Sequence, residues 1–200
     1  MLHKTAWFFA LLFSILVIYL RLSWQIIIVE VIMYFLLITA GLIFVYKKNL
    51  PDCLVVCFSL SALPHFLGLI PLGANGRVLY DDTFIIANYD LLSHTIAFVL
   101  FSIGFLSYLR PKVNRFLIMF LALMGVGMII EISEFLGYIL FGIGKGWLAF
   151  GHSDSSANFG PWGDSMMDSI SNMVGIILGF VIYILRTRIK LLYGQIKNFF

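Results

Sequence analysis

Six stretches of this chain, 5–20, 24–46, 53–72, 89–109, 113–141 and 164–186, are almost wholly apolar. Crossing a bilayer takes about 20 mostly apolar residues, and the runs cluster around that length. The pattern predicts an all-α polytopic membrane bundle of six transmembrane helices, one transmembrane domain over 1–200 with no separate soluble unit. Of the 200 residues, 62% are hydrophobic and 12% charged, where a soluble domain would be about half apolar and about a quarter charged. The net charge of +3 does not point to nucleic acid, because the positive residues stand at helix ends. Cys53 and Cys57 have no second pair and no nearby histidines, so they read as small core residues rather than a zinc or redox motif. The first run has only Lys4 before it and no small-residue cleavage site after it, and is expected to be a retained helix.

The breaks between runs are short and polar. Arg21, Leu22 and Ser23 make a tight hairpin, Pro51 suits a helix start, and Pro64 should kink the third helix. A polar loop covers 73–88, and a glycine- and aromatic-rich loop covers 142–163. With six crossings, one side carries Lys4, Lys47, Lys48, Arg110, Lys112, Arg115, Arg186, Arg188, Lys190 and Lys197. The other carries only Arg21, Arg77 and Lys145. That asymmetry predicts that both termini are cytoplasmic, in a multi-pass protein of the inner or plasma membrane.

Topology turns position into depth. Asp90 lies at the outer end of the fourth helix with His94 one turn deeper, and Asp164, Asp168 and Asn172 occupy the first three turns of the sixth. Glu131 and Glu134 stand roughly 27 and 32 Å along the fifth, in its outer half, and His65 roughly 18 Å along the third. Asp90 with His94, and Glu131 with Glu134, share helical faces, and faces this polar should turn away from lipid and meet. The inferred pocket holds His65, His94, Glu131, Glu134, Asp168 and Asn172, with Asp90 and Asp164 at its mouth. Glu30 either joins it or pairs with Arg21.

Five carboxylates so placed cannot all stay ionised without compensation: either several are protonated or a cation sits among them. Oxygen ligands with one or two imidazoles suit Zn, Mn, Fe or Mg, although no compact signature such as HExxH is present. The ligands would be His65, His94, Glu131 and Asp168, with Glu134 as general base and Asp168 also serving the chemistry. The loop over 142–163, with Trp147, Phe150, Phe159 and Trp162, would lie above as a lid for an amphiphile. This reading is a metal-dependent hydrolase or transferase working on membrane lipid or a lipid-linked substrate at the outer face. Two others stand beside it. In one, Asp168 and Asn172 merely hydrogen-bond helices together in a non-catalytic, partner-binding protein. In the other, the acids serve a proton-coupled transporter, against which the apolar inner halves of the helices count. Gly175 and Gly179, with Ser171, form a small-residue face suited to close helix packing.

Taken together, the motifs His65-x-x-Gly68, Asn88-Tyr89-Asp90-x-x-x-His94, Glu131-x-x-Glu134 and Asp168-x-x-x-Asn172-Met173-x-Gly175-x-x-x-Gly179 resemble the YjdF-like family of small inner-membrane proteins. The last motif is also similar to the closing helices of the VanZ-like family. The resemblance covers about 63–180. It departs from the YjdF-like pattern at Asn172, where that family has an aspartate, and at Asp164, which is four rather than three before Asp168. The resemblance implies a multi-pass membrane protein without an established reaction.

Overall fold

The computed structural model describes residues 4–23, 25–26, 28–72, 78–81, 89–108, 115–141 and 160–197. Its helices are α1 (Lys4–Leu22), α2 (Ile28–Lys48), α3 (Asp52–Gly68), α4 (Tyr89–Tyr108), α5 (Arg115–Phe141) and α6 (Gly160–Lys197), with a short 3-10 turn, Leu79–Asp81, between α3 and α4. There is no strand among the described residues. Five helices are long and apolar enough to cross a membrane, and α3 is a shorter apolar helix. The chain thus has the make-up of a polytopic membrane protein.

Where boundaries differ from expectation, local chemistry explains the shift. The first helix runs on to Leu22 because the Ser23 hydroxyl caps its end, donating to the carbonyls of Tyr19 at 2.9 Å and Leu20 at 3.1 Å. The α2–α3 hairpin is closed by Asn49 at φ 48, a left-handed position that asparagine tolerates. Leu50 then donates back to the Val45 carbonyl at 3.3 Å. Pro51, at φ −67 and ψ 145, leads into α3. That helix stops at Gly68, four residues short of the apolar run, because Pro71 has no N–H and disfavours helix at the residue before it. His65 therefore sits in the last turn of α3. The 38 residues of α6 measure about 57 Å, far more than the roughly 30 Å of a hydrocarbon core. Its basic end, rich in good helix formers, extends the helix past Arg186.

Contacts fix the directions of the helices. His94 meets Asn172, and built methyls at Gly175 and Gly179 would meet Thr95 and Val99, so α4 and α6 run parallel. The Phe116 ring packs at a tilt against Phe180 while Gly127 faces Asn172, so α5 runs antiparallel to both. Tyr89 reaches the Pro64 carbonyl while Gly104 faces Cys57 and Leu54, so α3 is antiparallel to α4. The N-termini of α4 and α6 and the C-terminal turns of α3 and α5 thus lie at one end. The core has two main parts. One joins α1, α2 and α3 around Phe13, Leu20, Tyr34 and Phe66, and the other joins α4, α5 and α6 around Phe98, Met119, Leu123 and Ile176.

Candidate functional site

Parallel packing of α4 on α6 brings the ionisable residues together. A methyl on Gly175 would lie 2.5 Å from the Thr95 carbonyl oxygen, and one on Gly179 2.6 Å from Ser102 Cβ and 2.7 Å from the Val99 carbonyl oxygen. Only glycine lets the two backbones approach this closely. The close approach sets Asp164, Asp168 and Asn172 beside the first turns of α4. On the far side, Gly127 leaves room for the Asn172 amide, whose Nδ2 would be 2.9 Å from a methyl at 127.

His94 is the hub. Its Nδ1 is 2.9 Å from Asn172 Oδ1 and 3.7 Å from Glu131 Oε1, while its Nε2 is 3.7 Å from Asp90 Oδ1. The two longer separations exceed a hydrogen bond. Donation from Nδ1–H to Asn172 selects the tautomer with a lone pair on Nε2, the form suited to a metal. Asp90, His94 and Asp168 bring one ligand atom each to within 4.8 Å of one another, and so do Glu131, Glu134 and Asp168. These two groups, sharing Asp168, could hold a metal ion. Glu131 and Asp168 are no more than 2% exposed, and neither oxygen of either carboxylate has a hydrogen-bond partner among the described residues. Buried lone pairs of this kind are costly unless a proton or a cation meets them. The donor set, oxygens with one imidazole, fits a divalent cation.

Asp90 and Asp164, expected at the mouth of the pocket, are buried. Glu134 is half-buried and, with His94, lines an apolar cavity, whereas Glu131 and Asp168 stand behind its wall. Glu30 is buried near the start of α2. The loop over 142–159, including His152, Trp147, Phe150 and Phe159, lies outside the described residues.

His65 belongs to neither group of acids. Its Nε2 is 2.8 Å from the Tyr34 hydroxyl and its Nδ1 2.9 Å from the Tyr80 hydroxyl. A neutral imidazole has one donor and one acceptor nitrogen, so one tyrosine donates to it and the other accepts. Neither tyrosine was among the expected site residues; the only signal was an aromatic residue four positions after Glu30. Between the spans, burial and then the Asp90 and Glu134 carboxylates push the Tyr80 phenol well above its ordinary pKa, so its hydroxyl stays protonated at neutral pH. Tyr80→Phe is expected to cost about 1–2 kcal/mol in thermal unfolding by stripping one partner from a buried ring nitrogen. Gly68→Ala, whose methyl would run into the Tyr80 ring, should cost a similar amount and be less than additive with it.

No family model matches the chain, and no curated protein or solved structure matches it either.

Proposed function

We propose that this protein is a membrane-embedded, metal-dependent hydrolase or transferase that acts on a lipid or lipid-linked substrate at the outer face of the cell membrane. Both termini are cytoplasmic, which the ten-to-three division of positive residues supports. The motifs on α3 to α6 support kinship with the YjdF-like and VanZ-like proteins. The observation that carries the reading is the pair of buried carboxylates, Glu131 and Asp168, whose oxygens have no hydrogen-bond partner among the described residues, beside the His94 and Glu134 that line an apolar cavity.

Asp90, His94, Glu131 and Asp168 would hold the ion. When bound there, a divalent cation would polarise an ester or phosphate and lower the pKa of water. Asn172 holds the His94 ring in its tautomer. Glu134, the acid on the cavity wall, is placed to accept a proton from the attacking hydroxyl or water. Packing around Glu131 and Asp168 keeps bulk water from these groups.

The test is metal content. Wild-type protein purified without chelator should carry zinc, manganese, iron or magnesium near one ion per chain, read by elemental mass spectrometry. The Glu131→Ala, Asp168→Ala double variant should fall at least about tenfold, the effect expected of losing ligands. Equal and near-zero occupancy in both would end the proposal.

A further inference from the structure

The cavity that Glu134 and His94 line has a volume of about 590 Å³ and runs between the α1–α3 half and α4–α5. Its polarity is one-sided. Ser93, His94, Ser133, Glu134 and His65 lie at the end nearest the carboxylates, and from there it continues past Met33, Leu42 and Phe58 to Ala6, Leu50 and Val55. Tyr34, whose hydroxyl meets His65, belongs to the same end; Ser59 and Ser61 are the other polar residues of the lining, and Ser61 spends its hydroxyl on the Phe58 carbonyl at 2.6 Å. From Met33 to Val45 on α2 the lining extends about 18 Å, close to the roughly 15 Å depth of one leaflet's hydrocarbon.

The cavity has a closed end and an open side. Ala6, Leu50 and Val55 are buried against one another's helices. Leu37 and Phe44 of α2 and Ile129 of α5 line the cavity and yet are 58%, 52% and 67% exposed. It therefore opens sideways between α2 and α5, on an apolar stretch of the bundle surface.

We infer that this cavity binds a single acyl chain of a membrane lipid, entering between α2 and α5, with its ester at Glu134 and His94 and its methyl end at Ala6, Leu50 and Val55. The inference rests on the proposed lipid-directed activity and specifies how the substrate is held. An amphiphile matches the lining because the polar groups gather at one end and the apolar walls run the length of a leaflet. The closed end makes the cavity a length gauge for the chain.

Gly41 provides the test. It lines the cavity, and a methyl there would meet nothing within 4 Å, so a large side chain can fill the void without displacing a helix. The probe is a phosphatidylglycerol whose palmitoyl chain carries a diazirine near its methyl end, in phosphatidylethanolamine vesicles holding the full-length protein. After illumination, peptide mass spectrometry should place the label on Ala6, Leu50 or Val55, residues that bulk lipid cannot reach. In Gly41→Trp, and in Gly41→Leu should the first not fold, that labelling should fall about tenfold, with metal content unchanged. Gly41→Ala should label as wild type. Label confined to outward residues such as Leu36 and Ile43, the same in every variant, would overturn the acyl site while leaving the ion reading to its own measurement. Retained labelling of the closed end in a protein that binds no metal would keep the acyl site and end the metalloenzyme.

Discussion

Replacing Gly179 with leucine is expected to lower the unfolding temperature by about 6–12 °C, from a loss of about 3 kcal/mol. The cost comes from where the new atoms would go. Even a methyl at 179 would lie 2.7 Å from the Val99 carbonyl oxygen and 3.1 Å from Val99 Cα. Those are backbone atoms of a neighbouring helix, which no rotamer change can move. The helices would have to separate, and the buried Phe98 and Ile176 between them would lose contact. Two other glycines supply the control. Gly41 and Gly125 have open space where a methyl would stand, so alanine there should leave stability unchanged or raise it by about 1 kcal/mol through helix propensity. Thermal unfolding in detergent, followed by circular dichroism, reads all three. Gly179→Leu melting with Gly125→Ala would mean that α4 and α6 do not pack as described. The same displacement would carry Asp168 and Asn172 away from His94, so metal content should fall with stability in this variant.

The sequence announced the glycine pair and missed the cavity, for physical reasons. Gly175 and Gly179 lie four apart on one face, and small residues in that pattern have a single common use between membrane helices. The meeting of Asp90, His94, Glu131, Glu134 and Asp168 was legible for a related reason: acids on apolar helices have nowhere to go except toward one another. The partners of His65 were not legible. Tyr34 belongs to α2, and Tyr80 reaches the ring only because the chain turns back through Leu79–Asp81 after α3. No periodicity encodes that fold-back. A void leaves no mark either, since Leu37 or Phe44 reads the same whether it faces lipid or lines a cavity. The early end of α3 was available in Pro71, but an apolar run hides a helix end more effectively than a proline reveals it. The helical continuation to Lys197 was obscured by charge, which ends a membrane span without ending a helix.

In a chelating buffer, the Glu131→Gln, Asp168→Asn double variant is expected to be more stable than the wild-type protein, by about 1–3 kcal/mol, or roughly 2–12 °C in unfolding temperature. Amides keep the size of the acids and remove the charge, so packing is unchanged while the burden of two buried carboxylates with no donor among the described residues is lifted. A site kept for ion binding should behave in this way, because its ligands are poorly accommodated until the ion arrives. Zinc or manganese should then reverse the order. An ion at a thousand times its dissociation constant stabilises the folded state by about 4.1 kcal/mol, and only the wild-type protein has the ligands to gain it. The competing view, in which the acids hold the helices together, gives the opposite sign. Asp168 and Glu131 would then be structural hydrogen-bonding groups, and their amides should melt lower in chelator, by the cost of disturbing buried polar contacts. The direction of one shift therefore separates an ion site from a packing device, without knowledge of the substrate. A variant that melts below wild type in chelator and moves equally with zinc would leave the carboxylates a scaffold and Glu134 without a cation to work beside.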